Sequence, residues 1–113
     1  MNLTYHGEAA NEICQATEWY DQQRSGLGSE YRRAVMEVLE SVVGWPDSFA
    51  RYEFITARRW PNIRRAIVKR FSQVVVFDVR ENEVHVLAVY HSSRKPNYWF
   101  HRLKPDRHEA GDN

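Results

Sequence analysis

The sequence predicts an α+β fold: an N-terminal strand and an antiparallel helical hairpin packed on one face of a mostly antiparallel, roughly four-stranded sheet. Three observations predict it. Apolar side chains recur at three- and four-residue spacing through residues 8–43. Residues 63–90 are rich in β-branched and aromatic side chains that alternate with polar ones. Pro46 and the residues around it divide the two halves. The chain has 113 residues, 42% of them apolar and 27% charged. That is the size of one domain with one modest core. The domain is expected to span residues 1–105, with Asp106–Asn113 a disordered polar tail.

The elements follow in order. Residues 2–6 read as a short strand. From Glu8 to Arg24 the residues Ala9, Ile13, Ala16 and Tyr20 fall on one face of a helix, with Cys14 packing near that stripe. Ser25-Gly26-Leu27-Gly28 breaks the helix, Gly26 supplying a left-handed C-cap and Ser29 capping the next helix. The second helix carries Tyr31, Ala34, Val35, Val38, Leu39 and Val42 on one stripe and ends at Gly44 and Pro46. So short a connection between two amphipathic helices makes them antiparallel neighbours. Asp47–Phe54 reads as a loop. Ile63–Phe71 is a strand with Ile63, Ile67 and Phe71 on one face and Arg64, Ala66, Val68 and Arg70 on the other. Val74–Val79 is a central strand. Val84–Tyr90 pairs with it across Arg80-Glu81-Asn82-Glu83, with Val84, Val86, Ala88 and Tyr90 facing one way and His85, Leu87 and Val89 the other. The helical hairpin covers one sheet face, and the other, with its arginines and lysines, is expected to stay more open.

Charge is distributed unevenly. The formal net charge is +1, but residues 1–50 carry three basic and eight acidic side chains, and residues 51–105 carry twelve basic and four acidic ones. Arg58-Arg59, Arg64-Arg65 and Lys69-Arg70 lie within thirteen residues. This asymmetry points to a nucleic-acid or acidic-protein partner. Other classes are excluded. The longest apolar run, Val74–Phe77, is too short to span a bilayer, and residues 1–5 lack the charged start and apolar stretch of a secretory leader. A single cysteine leaves no internal disulfide and no cysteine-rich zinc site. The five histidines have no paired metal-ligand spacing, and there is no glycine-rich phosphate loop. A cytoplasmic protein with no cofactor and no bound metal is expected.

Several segments together resemble one family. Ala16-x-x-Trp19-Tyr20, then Gln22-x-Arg24-x-Gly26-Leu27-Gly28 and a helix with Tyr31 near its start, is similar to the helical hairpin of RelE/ParE toxins. Arg70-Phe71-x-x-Val74-Val75-Val76-Phe77 resembles their central strand. Val86-Leu87-Ala88-Val89-x-His91-x-x-Arg94-x-Pro96-x-Tyr98-Trp99-x-x-Arg102 resembles the terminal signature of the ParE-like, plasmid-stabilisation branch. The resemblance implies the toxin of a type II toxin–antitoxin pair. It would be neutralised by a cognate antitoxin in a hetero-oligomer that binds operator DNA through that antitoxin. RelE-like members cut mRNA on the ribosome without a metal, and ParE-like members block DNA gyrase.

The resemblance also sets the candidates. Aligned with the RelE-type strand, Val74 stands where that branch has an arginine, which counts against messenger cleavage. Arg70 lies four residues away, about 13 Å along a strand. If the chain were a ribonuclease, His91 would be the base, Arg94 a phosphate clamp and Tyr98 a proton donor, with Arg70 in support. The same residues read first as structure: His91 bonding backbone at a strand end, Tyr98 and Trp99 packing the tail, and Arg94 and Arg102 pairing with carboxylates such as Glu53 or Asp78. Target-binding candidates are Arg94, Arg102, Arg65 and Lys69. Antitoxin-binding candidates are Trp19, Trp45, Phe49 and Trp60. The first reading is a toxin that acts by binding DNA gyrase. The alternatives are an mRNA endoribonuclease and an inactive or regulatory antitoxin-binding module.

Overall fold

The computed structural model describes residues 1–52 and 59–103. Strand β1 (Asn2–Tyr5) leads into helices α1 (Gly7–Gln23) and α2 (Leu27–Gly44). Strands β2 (Ile63–Val68), β3 (Gln73–Val79) and β4 (Glu83–His91) follow. The sheet order is β1-β4-β3-β2, with β1 parallel to β4 and the other pairs antiparallel. This is the expected α+β arrangement. The expected tail and residues Glu53, Phe54 and Arg58 lie outside the described residues. Among the described residues no helix is long and apolar enough to cross a membrane.

The hairpin turn differs from the expected capping. Gly26 does adopt the left-handed region, with φ +89°. It precedes α2 directly, so Ser29 lies inside the helix and does not cap it. The free N–H groups are met from the other helix: the Asp21 carboxylate accepts from Gly26 N at 3.0 Å and from Gly28 N at 3.1 Å. Gly28 is needed for a second reason, because a Cβ there would sit 2.5 Å from the Thr17 carbonyl oxygen. Asp21→Ala is expected to cost about 1 kcal/mol, as for loss of a side-chain cap, read as a lower urea midpoint at unchanged slope. An unchanged midpoint would show that water serves these amides equally well.

The helix-side core joins Ile13, Tyr31, Val35, Leu39 and Val42 to Val75, Phe77, Val84, Val86 and Val89. Cys14 lies one residue, about 100°, off the Ile13 stripe and is exposed rather than packed. Phe71 joins this helix-side core, against the expected continuation of β2. The strand ends at Val68, and the 3₁₀ turn Lys69–Phe71 carries the Phe71 ring across to Tyr20 and Tyr31. Ile67 is left on the opposite face, 43% exposed.

Strict alternation also fails in β4. Val76 pairs with Ala88 and Phe77 with Val86, so Leu87 is the extra residue of a β-bulge. The bulge shifts the pleat by one. Val84, Val86 and Val89 therefore face the helices, while Leu87, Ala88 and Tyr90 face away.

The second face is not open. Trp99 is completely buried on it, among Tyr52, Ile63, Val76, Ala88 and Tyr90, with Trp60, Tyr98, Phe100 and Leu103 around the margin. Residues 97–103 thus fold back as a cover over the middle of the sheet. The β2 edge is partly closed as well. Tyr52 N donates to Ile63 O at 2.9 Å, and Arg65 N donates to Ala50 O at 3.0 Å.

Candidate functional site

The C-terminal candidates converge on a residue the sequence did not single out. Glu12 sits on α1, one turn after Glu8, and its side chain is 12% exposed. Arg102 Nη1 donates to Glu12 Oε1 at 2.9 Å, and Arg102 Nη2 donates to Oε2 at 3.0 Å, a two-point grip on the carboxylate. The Tyr98 hydroxyl donates to Oε2, and Val89 N donates to Oε1 at 3.0 Å. Arg94 Nη1 lies 3.5 Å from Oε2, and its guanidinium stacks on the Tyr98 ring with Cζ 3.5 Å from the centroid.

Backbone geometry explains this gathering. Strand β1 stops at Tyr5, and after His6 N donates to Val86 O at 2.8 Å no strand among the described residues continues along that edge of β4, whose other edge is paired with β3. The bulge turns the Leu87 carbonyl toward that gap, where Arg102 Nη1 donates to it at 2.8 Å. Two residues on, Glu12 accepts the Val89 amide. An ion pair thus takes the place of the missing strand and satisfies buried backbone groups.

The electrostatics are those of a filled site. Burial lifts the Tyr98 phenol far above its ordinary range, and its bond to Glu12 adds to the rise, so it stays protonated. Burial opposes the Arg102 charge, but the Glu12 bonds and charge outweigh it and the guanidinium is held more firmly protonated. Arg102, 5% exposed, is therefore turned inward and paired with Glu12 and, at 3.7 Å, Glu8 rather than with Asp78; Glu53 lies outside the described residues. Arg102 does not stand free as a surface cation.

The other candidates are scattered. His91 is exposed at the end of β4, its Nδ1 at 2.8 Å from Ser93 Oγ and accepting from Ser93 N at 3.1 Å. Arg70 lies on the helix side, paired with Glu30 and over the Phe71 ring, away from the Glu12 group. Val74 is 8% exposed on the second face beside Tyr90, an apolar position with no cation. Arg65 and Lys69 are exposed near the open end of β2 and form no ion pair among the described residues. Of the aromatic candidates, Trp19 is 56% and Trp45 74% exposed. Phe49 packs edge-on against Phe77, and Trp60 is half-buried at the margin of the second core. Tyr52, Tyr90 and Asn97 form a further polar group, Tyr52 donating to Asn97 Oδ1 at 3.0 Å. Burial and the Tyr52 hydroxyl raise the Tyr90 pKa, so this phenol is no base either.

No family model and no curated protein matches the chain. Solved structures do. A chain of the chromosomal ParDE TA system from P. aeruginosa matches with a TM-score of 0.57 at 18% identity, covering 80% of this chain and 95% of that one. The isolated E. coli RelE toxin matches with a TM-score of 0.59 at 18% identity, covering 86% of this chain and 89% of that one. The RelE/ParE-type fold that the sequence motifs imply is the fold observed.

Proposed function

We propose that this chain is the toxin of a type II toxin–antitoxin pair in the RelE/ParE superfamily, acting by binding an essential target rather than by cutting RNA, with DNA gyrase as that target. The fold and the terminal motif support the superfamily. One observation carries the binding mode: the groups best suited to nuclease chemistry are gathered on Glu12. Cleavage by 2′-hydroxyl attack needs a base, cations for the phosphorane and a donor for the leaving oxygen. Here Tyr98, Arg94 and Arg102 surround a carboxylate that would repel a phosphate. The strand position that would supply a further cation holds Val74.

The target surface on this reading comprises the exposed cations Arg65 on β2 and Lys69 just after it, together with the exposed part of Arg94. The partner is a cognate antitoxin, with the exposed Trp19 and Trp45 rings as its anchors. The setting is the cytoplasm, in a hetero-oligomer that binds operator DNA through the antitoxin.

Induction of the chain without its partner is the test. DNA synthesis is expected to stop and the SOS response to rise while translation continues. Immediate loss of translation with cut transcripts would overturn the binding mode and favour messenger cleavage, with the exposed His91 as base. Arg65→Ala with Lys69→Ala is expected to relieve growth arrest while antitoxin capture persists. Full toxicity of the folded double variant would reject this surface.

A further inference from the structure

The donors around Glu12 form an arrangement with a chemistry of its own. A planar guanidinium grips two oxygens, a phenol adds a third hydrogen bond and a backbone amide a fourth, and a second guanidinium stands 3.5 Å away. Such convergence of donors is how proteins hold tetrahedral and planar oxyanions. The Arg102 and Glu12 side chains are only 4% and 12% exposed, so the site is pre-built and largely dry. Arg102 cannot turn away, since Leu87 O also holds it and the Tyr98 ring lies 5.1 Å from its Cζ. Its Nε is buried without a hydrogen-bond partner, so the guanidinium depends on the anions at its outer edge: Glu12 in the two-point grip and the more exposed Glu8 carboxylate, 3.7 Å from Nη2. The occupying carboxylate comes from a separate element, α1, whereas Tyr98, Arg102 and Arg94 all belong to the segment after β4.

We infer that Arg102, Tyr98, Arg94 and the Val89 amide constitute an oxyanion site of the phosphate class, which the chain keeps closed with its own Glu12 carboxylate. Glu12 acts as an autoinhibitory plug. A phosphate-bearing group enters only where that carboxylate is absent or displaced. The inference shares the Glu12 geometry with the proposed binding mode, but its test is made on the isolated chain and does not depend on which target the chain acts upon.

The test is anion rescue of Glu12→Ala in the full chain. This variant removes the plug and leaves every donor. Inorganic phosphate at millimolar concentration is expected to raise its Tm saturably, with sodium chloride at equal ionic strength giving no such rise. Phosphate also stabilises proteins in general by exclusion from their surfaces. Wild type and Glu12→Gln, in which a side chain still fills the site, measure that background and should show only it. If Glu12→Ala is unfolded in chloride, the same titration is read as recovery of circular dichroism. Absence of any phosphate-specific gain over the two filled chains, in Tm or in refolding, overturns the inference. Rescue by acetate but not by phosphate would overturn the phosphate class.

Discussion

Glu12→Leu is expected to lower the stability of this protein by about 3–5 kcal/mol, the usual cost of leaving one partner of a buried ion pair uncompensated. Arg102 would keep its charge at 4% side-chain exposure with the Leu87 carbonyl and the half-exposed Glu8 carboxylate, 3.7 Å from Nη2, as its remaining partners, and the Val89 amide and Tyr98 hydroxyl would lose their acceptor. For a domain of this size the loss corresponds to a fall in Tm of more than about 10 °C. The double variant Glu12→Leu with Arg102→Met removes the orphaned charge and is expected to regain part of the loss. Thermal unfolding of wild type, both singles and the double gives the coupling directly. If the double variant is as unstable as the sum of the singles, the pair is not a unit and the assignment fails.

The second large effect is expected at Trp99. It is the largest of the fully buried side chains and fixes residues 97–103 onto the sheet. It meets Tyr52 edge-on at 5.0 Å and Phe100 at 4.9 Å between ring centroids. Trp99→Ala removes the centre of the second core and is expected to cost about 3–5 kcal/mol. Trp45→Ala, at a ring 74% exposed, is expected to stay within about 0.5 kcal/mol. The two tryptophans therefore separate packing from display. Denaturant unfolding of both variants checks this, and a loss below about 1 kcal/mol at Trp99 would mean that the segment packs only loosely on the sheet.

Much of the fold was legible because its signals are local. The α2 stripe of Tyr31, Val35, Leu39 and Val42 is buried as its spacing requires, and β3 and β4 pair across the turn their sequence marks. The errors of strand face share one physical origin. A face assignment along a strand assumes an unbroken pleat, and one extra residue at Leu87 or one 3₁₀ turn at Lys69–Phe71 reverses it. Asp21 was legible as a polar helix residue but not as the cap of a turn five residues on. The second sheet face was expected to stay more open because the helical hairpin covers only one face, although the reading of Tyr98 and Trp99 as residues that pack the tail already pointed to the cover observed. Tyr98-Trp99-Phe100 covers the sheet through side-chain bulk instead of through regular backbone structure.

The site divides the same way. The sequence by itself determined the α+β class, the helical hairpin, the strands and the cationic bias of residues 51–105, because periodicity, turn chemistry and charge depend on near neighbours. Only the tertiary structure decided what those charges do. Arg102 and Glu12 lie 90 residues apart in the chain, yet they share two hydrogen bonds. They meet because β1 ends early and β4 bulges, leaving backbone groups that an arginine and a carboxylate can satisfy together. No pattern along the chain records that vacancy, so the sequence showed a cluster of candidate cations and the fold showed that their centre is already filled.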